Sequence, residues 1–237
     1  FMAVKNDFAG KSWEEWEEDI RLRNVVAMEK YRDRLQDEIL FYEFQQYLFE
    51  QQWKRLKSYA NRKGIRILGD IPIYVAFDGA DSWAYPELFQ FDEDCRPKAV
   101  AGCPPDAFSA TGQLWGNPLY CWEYHKKTGY RWWIRRLEYC FRLYDVVRVD
   151  HFRGFDEYWS IPAGDKTAEG GHWEQGPGYE FFQTLQRHFG KLDIIAEDLG
   201  LLTSSVKKLV QDTGFPGMKV LEFAFDDTED SDYLTHK

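Results

Sequence analysis

The chain has 237 residues, 44% of them apolar and 30% charged, a balance that suits a globular protein with a sizeable core. Asp and Glu number 40 against 30 Lys and Arg, a formal charge of −10. That excess argues against nucleic acid or an anionic membrane as the main partner and fits an uncharged substrate.

Phe1 to Asp7 has no basic region followed by an apolar run, so it does not read as a signal peptide. The start at Phe1 rather than Met reads as a piece of something longer. No stretch approaches the ~18 apolar residues that cross a bilayer. Gly and Pro are absent between Gly10 and Gly64, which permits long helices. Leu40, Phe44, Tyr47 and Leu48 predict an apolar stripe on one of them, ended by Gly64. Ile65–Leu68 is β-branched and bounded by glycines, the pattern of a strand. Residues 74–117 are rich in Pro, Gly, Asp and Ser with little periodicity, and a loop of that length is usually functional or disordered. Trp133, Leu137, Phe141 and Tyr144 predict a second helix, and Val146–Val149 the strand after it. Phe182, Leu185 and Phe189 predict a third helix closed by Gly190, before a strand at Leu192–Ala196. Thr203 caps a helix to about Gly214, and Met218–Phe225 reads as the last strand. Helices and strands thus alternate, which implies parallel strands with helical crossovers, either a doubly wound sheet or a (β/α)8 barrel. No GxGxxG or GxxxxGK[ST] loop follows a strand, which weakens a nucleotide-binding reading.

Three of these strands lead into acids: Asp70, Asp150 and Glu197. One such acid commonly caps a helix or faces solvent. Three in register predict a single carboxylate-lined mouth at the C-terminal ends of the strands. Metal binding is one use of such a mouth, and the charges of Arg148 and Arg153 beside Asp150 would oppose it. Glycoside chemistry is another, and it needs one ionised and one protonated carboxyl. Arg148 and Asp150 stand at i and i+2 on a strand and share a face. The guanidinium would hold Asp150 ionised as a nucleophile, or the pair would simply tether a strand end. Glu197 follows an apolar strand, a setting that favours a protonated carboxyl. Sugar rings offer apolar faces and hydroxyl rims, and Gly112–Tyr120 supplies Gln113, Trp115, Asn117 and Tyr120 to match them. Tyr74 is a further candidate. The four cysteines have no CxxC spacing and the five histidines no HExxH, so no zinc site is expected. The cysteines read as free thiols of a reducing, cytoplasmic compartment.

Five blocks resemble the signatures of the 4-alpha-glucanotransferases, also called amylomaltases. They are Gly69–Val75 (GDIPIYV), Pro104–Ser109 (PPDAFS) leading into Gly112–Tyr120, Arg148–Phe155 (RVDHFRGF), Ala196–Gly200 (AEDLG) and Gly214–Leu221 (GFPGMKVL). The resemblance covers essentially the whole chain. It implies an α/β fold, a (β/α)8 TIM barrel of the α-amylase type, of which residues 1–237 are a central part, with 76–117 a long cleft-lining loop region. It implies a retaining double displacement on maltooligosaccharides or α-1,4-glucan, with no metal or organic cofactor. Asp150 matches the nucleophile, Glu197 the general acid/base and Arg148 the nucleophile's support. Asp70, Trp115, Asn117 and His151 match positions that meet the glucan. The family's third catalytic carboxylate, in a His-Asp-Asn segment, is absent from these residues. A non-catalytic glucan-binding fragment and an α-glucan hydrolase are therefore the competing expectations. The sequence fixes no oligomeric state.

Overall fold

A computed structural model of the chain describes residues 1–107, 109–200 and 202–225. Three short helices come first: α1 (Met2–Asp7), α2 (Glu18–Arg21) and α3 (Val25–Arg34). The Asn24 side chain accepts from the Val26 N–H and so caps α3. Trp13, Trp16 and Tyr31 pack with Trp83 in an aromatic cluster of their own. The buried indoles keep partners: Trp13 Nε1 donates to the Phe77 carbonyl at 2.7 Å and Trp83 Nε1 to that of Ile20 at 3.2 Å.

Helix α4 (Gln36–Arg62) runs for 27 residues and buries none of them. The expected apolar stripe exists, but it is not a core face: Leu40, Phe44 and Tyr47 are 52%, 56% and 57% exposed and Leu48 is exposed too. The helix is held by polar tethers near its C-terminal end instead. Trp53 Nε1 donates to the Leu143 carbonyl at 2.7 Å, Lys57 Nζ to that of Tyr144 at 2.8 Å, and Asn61 to Asp145 at 2.8 Å.

Strand β1 is Leu68–Pro72, later than the expected Ile65–Leu68. The Asp145 carboxylate takes the Ile67 N–H at 2.7 Å, and pairing begins only at Leu68 opposite Val146. Asp70 consequently lies inside the strand rather than beyond it. The stretch read as an irregular loop contains α5 (Ala80–Ala84), β2 (Ala99–Cys103) and β3 (Gln113–Pro118). The chain continues through α6 (Trp122–Lys127), α7 (Arg131–Leu143), β4 (Val146–Asp150), β5 (Glu157–Pro162) and β6 (His172–Gln175). It then passes through α8 (Gly178–Phe189), β7 (Ile194–Ala196) and α9 (Ser204–Thr213), which Thr203 caps.

The fold is mixed α/β. Strands β1, β4 and β7 form a parallel sheet in the order β1-β4-β7, as the alternation predicts. A second, antiparallel sheet of order β3-β2-β5-β6 was not expected. Its strands are short and poor in alternating β-branched residues, so their pairing comes from tertiary context. Gly102 is needed there, because a Cβ would overlap the Gln113 carbonyl of the neighbouring strand.

Helices α7 and α8 cover one face of the parallel sheet. Trp133 and Leu137 from α7 meet Phe181, Phe182 and Leu185 from α8, with Phe152 and Phe155 between them. Phe155 and Phe181 stack at 4.9 Å and 10°. Much of the high aromatic content is therefore core. The expected strand at Met218–Phe225 is not formed: Leu221–Phe225 is a 3-10 turn. Ala196 N–H reaches the Pro216 carbonyl at 2.9 Å, but the Met218 N–H goes to the Asp198 carboxylate at 2.7 Å and the ladder stops. No described helix is long and apolar enough to cross a membrane.

Candidate active site

Strand periodicity builds the site. Val147 and Val149 of β4 are buried, so Arg148 and Asp150 point to the opposite face. Asp70 lies opposite Arg148 on β1, and Ile195 lies opposite it on β7. Partners across a parallel ladder share a face. Glu197, two residues beyond Ile195, is carried to the same face at the end of β7. Its N–H still pairs with the Val149 carbonyl at 3.1 Å. The three acids and Arg148 are thus brought together.

Arg148 joins two of them. Its Nη1 donates to Asp70 Oδ1 at 2.7 Å and its Nη2 to Asp150 Oδ1 at 2.8 Å. Burial works against the guanidinium's charge, but the bonds and charges of Asp70 and Asp150 outweigh it and hold its pKa above the usual value. Asp70 and Asp150 stay 60% and 46% exposed, open to a substrate.

Glu197 is held differently. Oε2 accepts the His151 N–H at 2.8 Å and Oε1 the Leu199 N–H at 3.1 Å. Burial raises the pKa of this carboxyl. The two backbone donors and Arg148 pull it down, and the Asp150 charge pushes it up. The net direction is upward, so burial and Asp150 win.

His151 makes the turn between them. Its φ of 54° places it in the left-handed region, which turns its N–H back toward Glu197. Its ring Nε2 is buried with no hydrogen-bond partner among the described residues. Burial, with some help from Arg153, lowers its pKa to about 4, so the ring is neutral at neutral pH. The Trp115 ring stands edge-on to it at 4.8 Å and 88°. Trp115 is 36% exposed, as a platform must be, and its Nε1 donates to Gln113 at 3.0 Å.

Tyr74 and Asn117 sit deeper. Tyr74 is buried and stacked on Tyr120. Asn117 spends its Nδ2 on the Val75 carbonyl at 2.9 Å, tying β3 to the segment after β1. A cavity of about 170 Å³ lies between Tyr74, Trp115, Asn117, Asp150 and His151. A larger groove of about 1090 Å³ on the outer side of α7, between Tyr139 and Phe189, has none of the paired carboxylates. Arg153 does not stand beside Asp150 as expected. It is buried, with its guanidinium 4.1 Å above the Trp173 ring. Among the described residues no group of three or more His, Cys, Asp or Glu could hold a metal ion. Reading the sequence missed the Leu199 N–H and Met218, whose sulfur lies 3.0 Å from Arg148 Nε. Their only advance signal is membership of the AEDLG and GFPGMKVL blocks.

The family model for 4-alpha-glucanotransferase matches residues 1–237. The chain belongs to that family. It is 52% identical over 232 residues to the 4-alpha-glucanotransferase of Streptococcus pneumoniae, covering 98% of this chain and 46% of that protein. It is 49% identical over 237 residues to the 4-alpha-glucanotransferase of Clostridium butyricum, covering all of this chain and 49% of that one. Among solved structures it resembles the amylomaltase from Streptococcus agalactiae in complex with acarbose, with a TM-score of 0.96 and 46% identity. That match covers 99% of this chain and 48% of the other. This member of the 4-alpha-glucanotransferase family therefore spans about half the length of the relatives it matches.

Proposed function

We propose that this chain is the catalytic centre of a 4-alpha-glucanotransferase, carried on the central part of a (β/α)8 barrel of the α-amylase type. The observation that carries the reading is the placement of Asp150, bonded to Arg148, beside a half-buried Glu197 whose pKa is raised. Two carboxyls in unlike environments suit a retaining double displacement.

In the first half, an Asp150 oxygen attacks the anomeric carbon of an α-1,4-glucan. The glycosidic C–O bond breaks, and the Glu197 carboxyl gives its proton to the departing oxygen. The glycosyl group is left as an ester on Asp150. In the second half, the Glu197 carboxylate takes the proton of an acceptor's 4-hydroxyl. That oxygen attacks the anomeric carbon and releases Asp150.

Trp115 offers its exposed ring to an apolar sugar face. The neutral ring of His151 lines the cavity next to the nucleophile and backs the Trp115 platform. Asp70 serves first through Arg148, and its exposed carboxylate is also in reach of sugar hydroxyls. Asn117 and Tyr74 shape the cavity wall. A cytoplasmic setting belongs to the same proposal, since all four cysteines are free thiols.

Incubation of the protein at its natural length with maltotriose tests the reading. Glucose with longer maltooligosaccharides is the expected outcome. Glucose and maltose with no lengthening would mean that water is the acceptor, as in an α-glucan hydrolase. Binding without any product would mean a non-catalytic glucan-binding protein.

A further inference from the structure

Asp70 and Asp150 each take an N–H from one Nη of the Arg148 guanidinium, and the structure places the third nitrogen, Nε, on a neutral sulfur. Arg148 Nε donates to Met218 Sδ at 3.0 Å. Met218 comes from a segment that the sequence reads as part of a strand, and its position is set from both sides. Pro216 is bonded through its carbonyl to the Ala196 N–H at 2.9 Å. The Met218 N–H is bonded to Asp198 Oδ1 at 2.7 Å. Gly217 lies between them, and a Cβ there would overlap the Asp198 carboxylate. The close approach of backbone to carboxylate needs glycine at that position.

We propose that Met218, clamped through its backbone by Asp198, is a positioning residue for the reacting carboxylate Asp150, acting through Arg148. The inference rests on the functional reading of Asp150 given above. A guanidinium carries its N–H groups in a rigid planar fork. With only the two Nη partners, Asp70 and Asp150, its Nε end would be free to swing and shift the carboxylate with it. Partners on Nη1, Nη2 and Nε fix the plane in three directions at once.

The chemistry of the third partner matters. A carboxylate on Nε would draw the guanidinium's charge away from Asp150. It would also add a negative charge beside Asp70, Asp150 and Glu197. A thioether is a weak, uncharged acceptor. It directs the Nε–H and leaves the cation's charge to the two acids. Asp198, the residue after Glu197, thereby links the end of β7 to the support of the residue at the end of β4.

The test uses Met218→Leu, which conserves volume and removes the acceptor, and Met218→Gln, which supplies an amide oxygen at similar reach. The first readout is hydrogen exchange of the Arg148 Nε–H by ¹⁵N NMR, its resonance identified by its loss in Arg148→Lys. Exchange should be roughly tenfold faster in Met218→Leu and return toward wild type in Met218→Gln. The second readout is kcat for maltotriose transfer. It should fall roughly tenfold in Met218→Leu with KM within about twofold, and recover in Met218→Gln. Gly217→Ala should follow Met218→Leu in both. Unchanged Nε–H exchange in Met218→Leu would overturn the bond. Faster exchange with unchanged kcat would overturn the positioning role. A wild-type protein without transfer activity would sink the functional reading, and the exchange measurement would still decide whether Met218 holds Arg148.

Discussion

The backbone N–H of His151 donates to Oε2 of Glu197 at 2.8 Å, so the residue directly after Asp150 holds the other carboxyl of the site. The left-handed turn at His151 makes that contact, and it couples the backbone at the end of β4 to the side chain at the end of β7. Glu197 is kept in place by groups that a side-chain substitution leaves intact.

Glu197→Gln should therefore lose proton transfer while keeping the size of the side chain and one of the two backbone bonds, because its amide nitrogen cannot accept the second N–H. Transfer from maltotriose should drop by roughly 10²–10⁴-fold. The wild-type rate should also fall as pH rises through the raised pKa of Glu197, because the first half-reaction needs the protonated form. That alkaline limb should vanish from the residual rate of the variant. A limb that persists would assign it to another group.

Asp150→Asn keeps the size of the side chain and its bond from Arg148 but removes the attacking oxyanion. We expect a loss of roughly 10³-fold or more in kcat. Circular dichroism should show the fold unchanged. Turnover near the wild-type level would remove Asp150 from its role.

Asp70→Asn separates support from chemistry. The amide oxygen can still accept from Arg148, but the second negative charge beside the guanidinium is lost. The effect on kcat should be roughly tenfold, far smaller than at Asp150, because Asp70 acts chiefly through Arg148. A loss as large as that of Asp150→Asn would mean that Asp70 meets the reacting atoms.

Two histidines set an acid limit on stability. Burial lowers His125 and His151 to about 4 each from an ordinary 6.5. Between those values the unfolded chain binds protons that the folded chain does not, so stability falls as pH drops below about 6.5. Each group contributes a slope of up to about 1.4 kcal/mol per pH unit in that window. His125→Gln can still donate to the Leu88 carbonyl, which His125 Nε2 approaches at 3.1 Å. Urea titrations of this variant between pH 4 and 7 should show a flatter dependence on pH, whatever its stability at pH 7. An unchanged slope would contradict the assignment.

The parallel strands were legible because Val146–Val149 and Ile194–Ala196 are short β-branched runs between amphipathic helices. Asp150 and Glu197 follow from those strands by counting. Asp70 required the true start of β1, which depends on Asp145 binding the Ile67 N–H from 78 residues away. No local pattern contains that contact. The stripe on α4 was legible as a stripe, but its periodicity cannot say which neighbour covers it. The antiparallel sheet was hidden because segments such as Ala99–Cys103 become strands only through their partners. Met218 was hidden for a similar reason: a thioether four residues after the glycine that ends α9 has no signature until Asp198 and Arg148 are in place.

The central claim is that Asp150 forms the covalent bond and that Glu197 controls its making and breaking. An α-maltosyl fluoride tests it directly, because fluoride leaves without needing an acid. Glu197→Gln protein at its natural length, given this donor, should form the ester and lack the base to resolve it. Peptide mass spectrometry should then find a maltosyl group on the peptide that contains Asp150, and none in Asp150→Asn. A label on a different acidic residue, or turnover with no trapped ester, would contradict the account.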